Sequence, residues 1–230
     1  MTANGFLLAL GDCNTVGTTE TLGSAYPVLV ARALGVELHN CGHTMSTVRE
    51  GWEYASRQLT PDTRYLTIQY GLVDSWLTFR GAPYVLYYPD TPVRRLLRKL
   101  VKKYKKLGRK LGFHRRFGEA HYVSPGEYQM RLEKIIDLAR ERSPEVKVCL
   151  ISTAPSREEH RNPGIEKFNQ ALKAVADKQQ CAFVDAFTPF ISQPEMLLDH
   201  IHLKPEAHAI IADACVAALR GEARRSPTSL

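Results

Sequence analysis

The sequence predicts an α/β protein, a three-layer α/β/α sandwich built on about five parallel strands. Three observations predict it. Short apolar runs alternate with stretches of helical periodicity along most of the chain, the signature of a parallel sheet with crossover helices. The first three apolar runs end at glycine, at Gly11, Gly42 and Gly71. The 230 residues, 44% hydrophobic and 24% charged, form a core large enough to need no disulfide or metal staple. A single domain is expected over residues 1–220, with a basic helical insert at about 84–120 and a frayed tail over 221–230.

Phe6 to Leu10 reads as the first strand, followed by a Gly-Asp-Cys turn. Ala25 to Leu34 reads as a helix stopped by Gly35, and Val36 to Asn40 as the second strand. Ser46 is placed to cap a helix running to about Leu59, with Glu50 near the capping-box position. Tyr65 to Tyr70 is the third strand. The run Ser124-Pro125-Gly126-Glu127 opens a helix to about Arg142, since Ser followed three residues later by Glu is a capping box and Pro suits the first turn. Val146 to Ser152 is the fourth strand, Gly164 to Gln179 a helix, Ala182 to Asp185 the fifth strand, and Pro205 to Leu219 the last helix. No internal repeat is visible.

Charge is concentrated in one segment. The chain holds 31 Lys and Arg against 24 Asp and Glu, a formal +7. Twelve of those cations, and no acid, lie between Arg94 and Arg116, which leaves the remainder at −5. Within the segment Val93, Leu97, Leu100, Tyr104, Leu107 and Leu111 recur at steps of four and three and draw one apolar stripe along a helix. Gly108 and Gly112 loosen its far end. One reading packs that stripe on the domain and leaves a solvated basic face. The others dock the segment on an anionic membrane surface or an acidic polysaccharide. Nucleic acid is disfavoured, because no reading motif accompanies the charge and aromatic residues are not interleaved along the basic face.

The odd, scattered cysteines (Cys13, Cys41, Cys149, Cys181 and Cys215) are not a disulfide framework and point to a reducing compartment. Leu8 to Cys13 loosely imitates a lipoprotein cleavage site, but no basic stretch precedes it and its apolar run is too short, so a buried strand is expected. No run approaches the roughly 20 apolar residues of a membrane span. The expected location is the cytoplasm, including the inner face of its membrane.

In open parallel sheets ligands bind beyond the carboxyl ends of the strands. Strand one delivers Asp12-Cys13-Asn14 there, strand two Cys41-Gly42-His43 and strand three Gly71 to Asp74, while Asp199-His200-Ile201-His202 precedes the last helix. A thiol, an imidazole and a carboxylate can therefore meet at one rim. His202 can take the thiol proton and Asp199 can hold its other ring nitrogen. The Cys13 and Gly42 amides can serve an oxyanion. A thiol primed in this way is expected to ionise well below its ordinary pKa of about 8.5 and to alkylate ahead of the other four. Asp12 and Asp74 are expected to order the loops around it by accepting backbone N–H bonds. His43 can line the pocket or cap a helix. Cys41, Cys149, Cys181 and Cys215 read as packing, His200 as a solvent-facing loop residue, and His208 as part of the last helix. Trp76 with Tyr84, Tyr87 and Tyr88 can wall a sugar site or anchor the insert. A zinc site from Cys13, Cys41, His43 and His202 lacks the paired spacing of structural zinc motifs.

In these blocks the sequence resembles the SGNH/GDSL hydrolase superfamily over most of its length. The family's Gly-Asp-Ser appears as Gly11-Asp12-Cys13, its second-block glycine as Gly42, its Gly-x-Asn-Asp as Gly71-Leu72-Val73-Asp74, and its Asp-x-x-His as Asp199 to His202. The resemblance implies a flavodoxin-like fold and acyl transfer to or from oxygen, with no metal and no cofactor. It implies a Cys13–His202–Asp199 triad acting on acylated carbohydrate or surface polysaccharide. Two positions depart from the pattern: cysteine replaces the nucleophilic serine, and Val73 replaces the oxyanion-hole asparagine. Losing one such donor typically costs about 10²–10³ in rate. Asn14 and Gln69 are candidate substitute donors. A catalytically degenerate binding protein for acidic polysaccharide, or for a membrane-associated partner, is the alternative.

Overall fold

Five strands, β1 (Phe6–Gly11), β2 (Glu37–Gly42), β3 (Thr63–Gln69), β6 (Lys147–Ile151) and β7 (Ala182–Val184), form one sheet in the order β2–β1–β3–β6–β7. Every pairing in it is parallel. The computed structural model describes residues 5–222. A parallel sheet is covered on both faces, so β1 is buried at all six positions and reads FLLALG without polar alternation. Leu8, Leu10, Leu66 and Ile68 face one layer, with residues of α3 (Val48–Gln58), α6 (Pro125–Arg142) and α7 (Asn162–Lys178). Leu7, Cys149 and Ile151 face the other, with α2 (Tyr26–Leu34) and α8 (Pro205–Arg220). β1 lies between β2 and β3, and the register sets Gly11 beside both Gly42 and Gln69. The ends of the first three strands thus share one rim.

The predicted elements are found within a few residues, with three differences. Thr47, rather than Ser46, caps α3: its hydroxyl accepts the Arg49 N–H at 3.3 Å, while Glu50 accepts the Thr47 N–H at 2.9 Å. Ser124 does cap α6, but the Glu127 carboxylate turns away to pair with Arg49 and Arg131. The insert is wider than 84–120. It is framed by a two-stranded antiparallel ribbon of β4 (Leu77–Phe79) and β5 (Glu119–His121), too short for a pattern to betray. Between them run α4 (Pro92–Lys110) and α5 (Phe113–Phe117).

Apart from Tyr104, whose ring meets Phe79 and Phe113, the apolar stripe of α4 does not pack on the domain. Leu96, Leu97, Leu100, Leu107 and Leu111 are each 43–61% exposed, and Val93 more so. Arginines face inward instead. Arg94 donates to the Tyr88 and Pro89 carbonyls at 2.8 and 3.2 Å, and Arg98 to the Leu86 carbonyl at 2.9 Å and to Asp90. At the far end Gly108 is buried, and a Cβ there would come within 2.7–2.8 Å of Phe113 and Phe79. That glycine is a close-packing contact more than a loosening one. Among the described residues no helix is long and apolar enough to cross a membrane. The tail expected at 221–230 lies, beyond residue 222, outside the described residues; Gly221 is the left-handed cap of α8.

Candidate active site

β1 ends in a tight turn. Asp12 accepts the Asn14 N–H at 3.0 Å and so caps α1 (Cys13–Val16), a four-residue helical turn unseen in the sequence. This puts Cys13 at the first helical position, its amide meeting no acceptor among the described residues but its own sulfur. Asn14 reaches across the rim: its amide nitrogen donates to the Ile201 carbonyl at 3.0 Å and its oxygen accepts the Leu203 N–H at 3.0 Å. Those two residues flank His202. One side chain next to Cys13 therefore grips the loop of His202 from both sides.

Within that loop Asp199 organises the turn. One carboxylate oxygen accepts the Ile201 and His202 N–H groups, both at 2.9 Å, and the other lies 2.6 Å from His202 Nδ1. Partial burial opposes ionisation of Asp199, but these donors and the imidazole outweigh it and hold the carboxyl down at about 2. An ionised Asp199 selects the tautomer with its proton on Nδ1 and leaves Nε2 free to act as a base. No hydrogen bond joins Cys13 to His202 among the described residues; apo catalytic contacts are often long and tighten with substrate.

The thiol does not behave as a primed thiolate. Cys13 is 5% exposed and packs with Leu72, Ile165 and Phe187. Burial, then the charge of Asp12, push its pKa well above the ordinary value. These surroundings oppose the low ionisation expected of a primed thiol and favour its neutral form at rest. Asp12 is itself pushed up to about 7 by burial, against the Asn14 N–H and His202. Asp74 is raised to about 7 by the same cause, although it accepts the Val48 N–H at 2.9 Å and the Gly71 N–H at 3.0 Å. Asp74 thus ties the β3 turn to the start of α3.

A strand-one turn carrying the nucleophile candidate and an Asp-x-x-His loop before the last helix mark one kind of hydrolase. A sequence model of the GDSL-like lipase/acylhydrolase family matches residues 9–210. The chain belongs to this family. The lipase/acylhydrolase of Enterococcus faecalis shares its fold at a TM-score of 0.64, with 14% identity over 97% of this chain and 100% of that one. An acetylxylan esterase from Geobacillus stearothermophilus superposes at 0.63, with 19% identity over 94% of both. A lipolytic protein of the G-D-S-L family from Veillonella parvula superposes at 0.59, with 14% identity over 91% and 95%. No curated protein matches the chain.

Against the family pattern this GDSL-like chain differs most at the oxyanion donors. The Gly42 amide, expected to be free, donates to Asn40 Oδ1 at 2.9 Å. Gly42 is needed for another reason: a Cβ there would lie 2.3 Å from the Val16 nitrogen, because α1 passes directly over it. Val73 is buried and apolar. Of the two substitutes, Asn14 is engaged in the His202 loop, while Gln69 accepts from Thr15 through its Oε1 at 3.3 Å, a contact that occupies no N–H of its amide. Of the two amides expected to serve an oxyanion, that of Cys13 is the one with no partner outside its own residue.

Other predicted residues have contacts of their own. The His43 ring contacts its neighbour's carbonyl, Thr44 O, at 2.7 Å and tilts against Tyr87. His208 is buried on α8, where its Nδ1 accepts the Tyr26 N–H at 3.3 Å, and burial pushes it down to about 4. Cys41 is core, raised to about 11 by burial. His200 gives its carbonyl to Ser156 and Arg157.

Three of the four aromatics expected to wall a sugar site or anchor the insert, Trp76, Tyr84 and Tyr87, line a cleft of about 580 Å³ between α4 and the body, where Tyr122, Lys105 and Arg109 join them unforeseen; Tyr88 instead stacks on Tyr54 at 3.7 Å. Lys105 Nζ lies 4.0 Å from the centre of the Tyr122 ring. Burial, then Arg49 and Arg109, lower Lys105 to about 8. A second cleft of about 570 Å³ shares Trp76, Tyr122 and Arg109 and extends to Gly164, the chain neighbour of the Ile165 that packs on Cys13. Arg161 stacks over Trp76 at 5.2 Å. Interleaving of aromatic and cationic groups was absent along α4, and it arises only where separate segments meet. Met45 also lines the first cleft, in the left-handed region at φ +66°. It occupies the second central position of the His43–Ser46 turn, a site that favours glycine.

Proposed function

We propose that this protein is an acyl-ester hydrolase or O-acyltransferase that uses Cys13 as nucleophile on acylated, and in particular acetylated, carbohydrate bearing anionic groups. The observation that carries the reading is the Asn14 clamp, which ties the His202–Asp199 pair to the residue following Cys13. In the first half-reaction Cys13 Sγ attacks the ester carbonyl carbon as its proton passes to His202 Nε2. The resulting oxyanion is met by the Cys13 N–H. Collapse breaks the C–O bond, His202 returns the proton to the leaving alkoxide, and the acyl group remains on sulfur as a thioester. Water or a sugar hydroxyl then repeats the sequence in reverse order. Asp199 stays ionised throughout and stabilises the imidazolium. Because the resting thiol is neutral, deprotonation belongs to the attack itself, as it does for a serine.

The substrate class rests on the clefts. Aromatic faces suit sugar rings, and a half-buried Lys105 among cations suits a carboxylate or phosphate on the glycan. One structural neighbour is an acetylxylan esterase, which agrees with acetylated carbohydrate. Five free cysteines fit a reducing compartment, and we assign the protein to the cytoplasm. The test is turnover of an acetylated acidic oligosaccharide and of a simple aryl acetate. Cys13→Ala should reduce both by about 10³-fold or more, while Cys13→Ser should retain turnover. Unchanged turnover in Cys13→Ala rejects the mechanism.

A second reading is favoured by the missing donors at Gly42 and Val73: a glycan-binding protein on a silent hydrolase fold. It predicts tight binding of the acidic oligosaccharide with no turnover by the native protein.

A further inference from the structure

The outward face of α4 is unpartnered. Val93, Leu96, Leu97, Leu100, Leu107 and Leu111 lie on one side of a 19-residue helix, each between 43% and 67% exposed. At 1.5 Å per residue such a helix is about 28 Å long. A contiguous apolar strip of that length on a solvated surface marks an interaction site. At 100° per residue, Lys99, Lys103, Lys106 and Lys110 follow one edge of the strip. Along the other edge, Arg94, Arg98 and Lys105 turn inward to the body. No Asp or Glu occurs from residue 91 to residue 118.

Charge decides what covers this face. A second copy would bring twelve like charges against twelve. An uncharged apolar partner would leave the lysine row without counter-ions. A bilayer carrying anionic headgroups matches both features: the leucines enter the headgroup–acyl boundary while lysine stems lie along it and raise their ammonium groups to the phosphates. The inward arginines matter as well. They hold α4 to the 84–90 loop through backbone carbonyls, and Tyr104 alone of the stripe packs inward, on Phe79 and Phe113, so the helix can present its leucines.

We propose that α4 docks this protein in the plane of an anionic membrane surface, leucines inward and the lysine row on the headgroups. The inference is independent of the acyl chemistry, because the docking face and the Cys13 rim share no residue.

The test is co-sedimentation of the full-length native protein with vesicles of phosphatidylcholine alone, or of equal parts phosphatidylcholine and phosphatidylglycerol. Binding is expected to the mixed vesicles and to be much weaker to the neutral ones. Leu100→Glu should lower partitioning at least tenfold, by about the burial of one leucine. Neutralisation of Lys103, Lys106 and Lys110 to glutamine should lower it about fivefold per lysine. These positions are exposed, so melting temperature and turnover of a soluble ester should be unchanged. Three results overturn the proposal: native protein that stays in the supernatant, equal binding to neutral vesicles, or Leu100→Glu that binds as well as the native chain. A native dimer that Leu100→Glu dissociates, without vesicle binding, assigns the face to a second copy instead.

Discussion

The central sheet and α4 satisfy their apolar residues by opposite rules. In β1 every apolar side chain is buried between two helical layers, Leu7, Leu8 and Leu10 at 0% exposure. In α4 the apolar stripe faces solvent, and arginines anchor the helix through carbonyls and aromatic faces. Hydrophobic periodicity identifies a face in both regions and says nothing of which way that face points. Direction comes from what surrounds the element: a sheet offers an apolar layer to pack on, while the cleft beneath α4 offers tyrosines and backbone oxygens.

The comparison can be broken by paired substitutions. The largest effect is expected at the sheet rim, where Asp199→Ala should cost about 10²–10⁴ in kcat by freeing the wrong imidazole tautomer. No comparable loss is expected from any exposed leucine of α4. Next, Leu10→Ala should destabilise the fold by about 2–5 kcal/mol, whereas Leu100→Ala should stay within about 0.5 kcal/mol; chemical denaturation measures both. Equal effects would mean that α4 is buried in solution.

Asn14→Ala removes two hydrogen bonds that fix the His202 loop. It should lower kcat more than it raises KM, with little change in melting temperature, and Asn14→Asp should restore only the Leu203 contact. A fall in stability matching the fall in rate would assign Asn14 to folding alone. A smaller effect concerns binding. Lys105, lowered to about 8, loses its charge above that pH, so KM for an anionic glycan should rise as pH passes about 8 while KM for a neutral ester does not.

The smallest effect is on stability against pH. Asp12 and Asp74 are both raised to about 7. Each therefore binds a proton in the folded state that the unfolded chain, with its carboxyl pKa near 3.9, has already released. Their contribution is fully present below pH 4 and is lost as pH rises through 7. His208, pushed down to about 4, works in the opposite sense below about 6.5, but one group does not cancel two. The melting temperature should be lower at pH 7.5 than at pH 5, and Asp12→Asn should flatten that slope.

The parallel sheet and its rim were legible because crossover patterning and Gly-terminated runs are local; the strand order was not read. Cys13, Asp199 and His202 were legible as candidates for the same reason, each lying in a short block at an element boundary. The role of Asn14 was not, since its partners are 187 and 189 residues away. The pKa of Cys13 was not, because burial by Ile165 and Phe187 comes from segments that no spacing connects. Gly42 was legible as a required glycine but not for its cause, which is the close passage of α1. The insert hid its framing ribbon in two three-residue strands, and it hid the cleft because its aromatic and cationic halves come from different segments.

The most direct measurement is peptide-mapped mass spectrometry of the protein, acid-quenched during turnover of an acetyl ester. An acetyl mass on the peptide containing Cys13, absent in Cys13→Ala and slow to form in His202→Ala, is the predicted result. Continued turnover with no acyl group on Cys13, or acylation confined to the half-exposed Cys181, would contradict it.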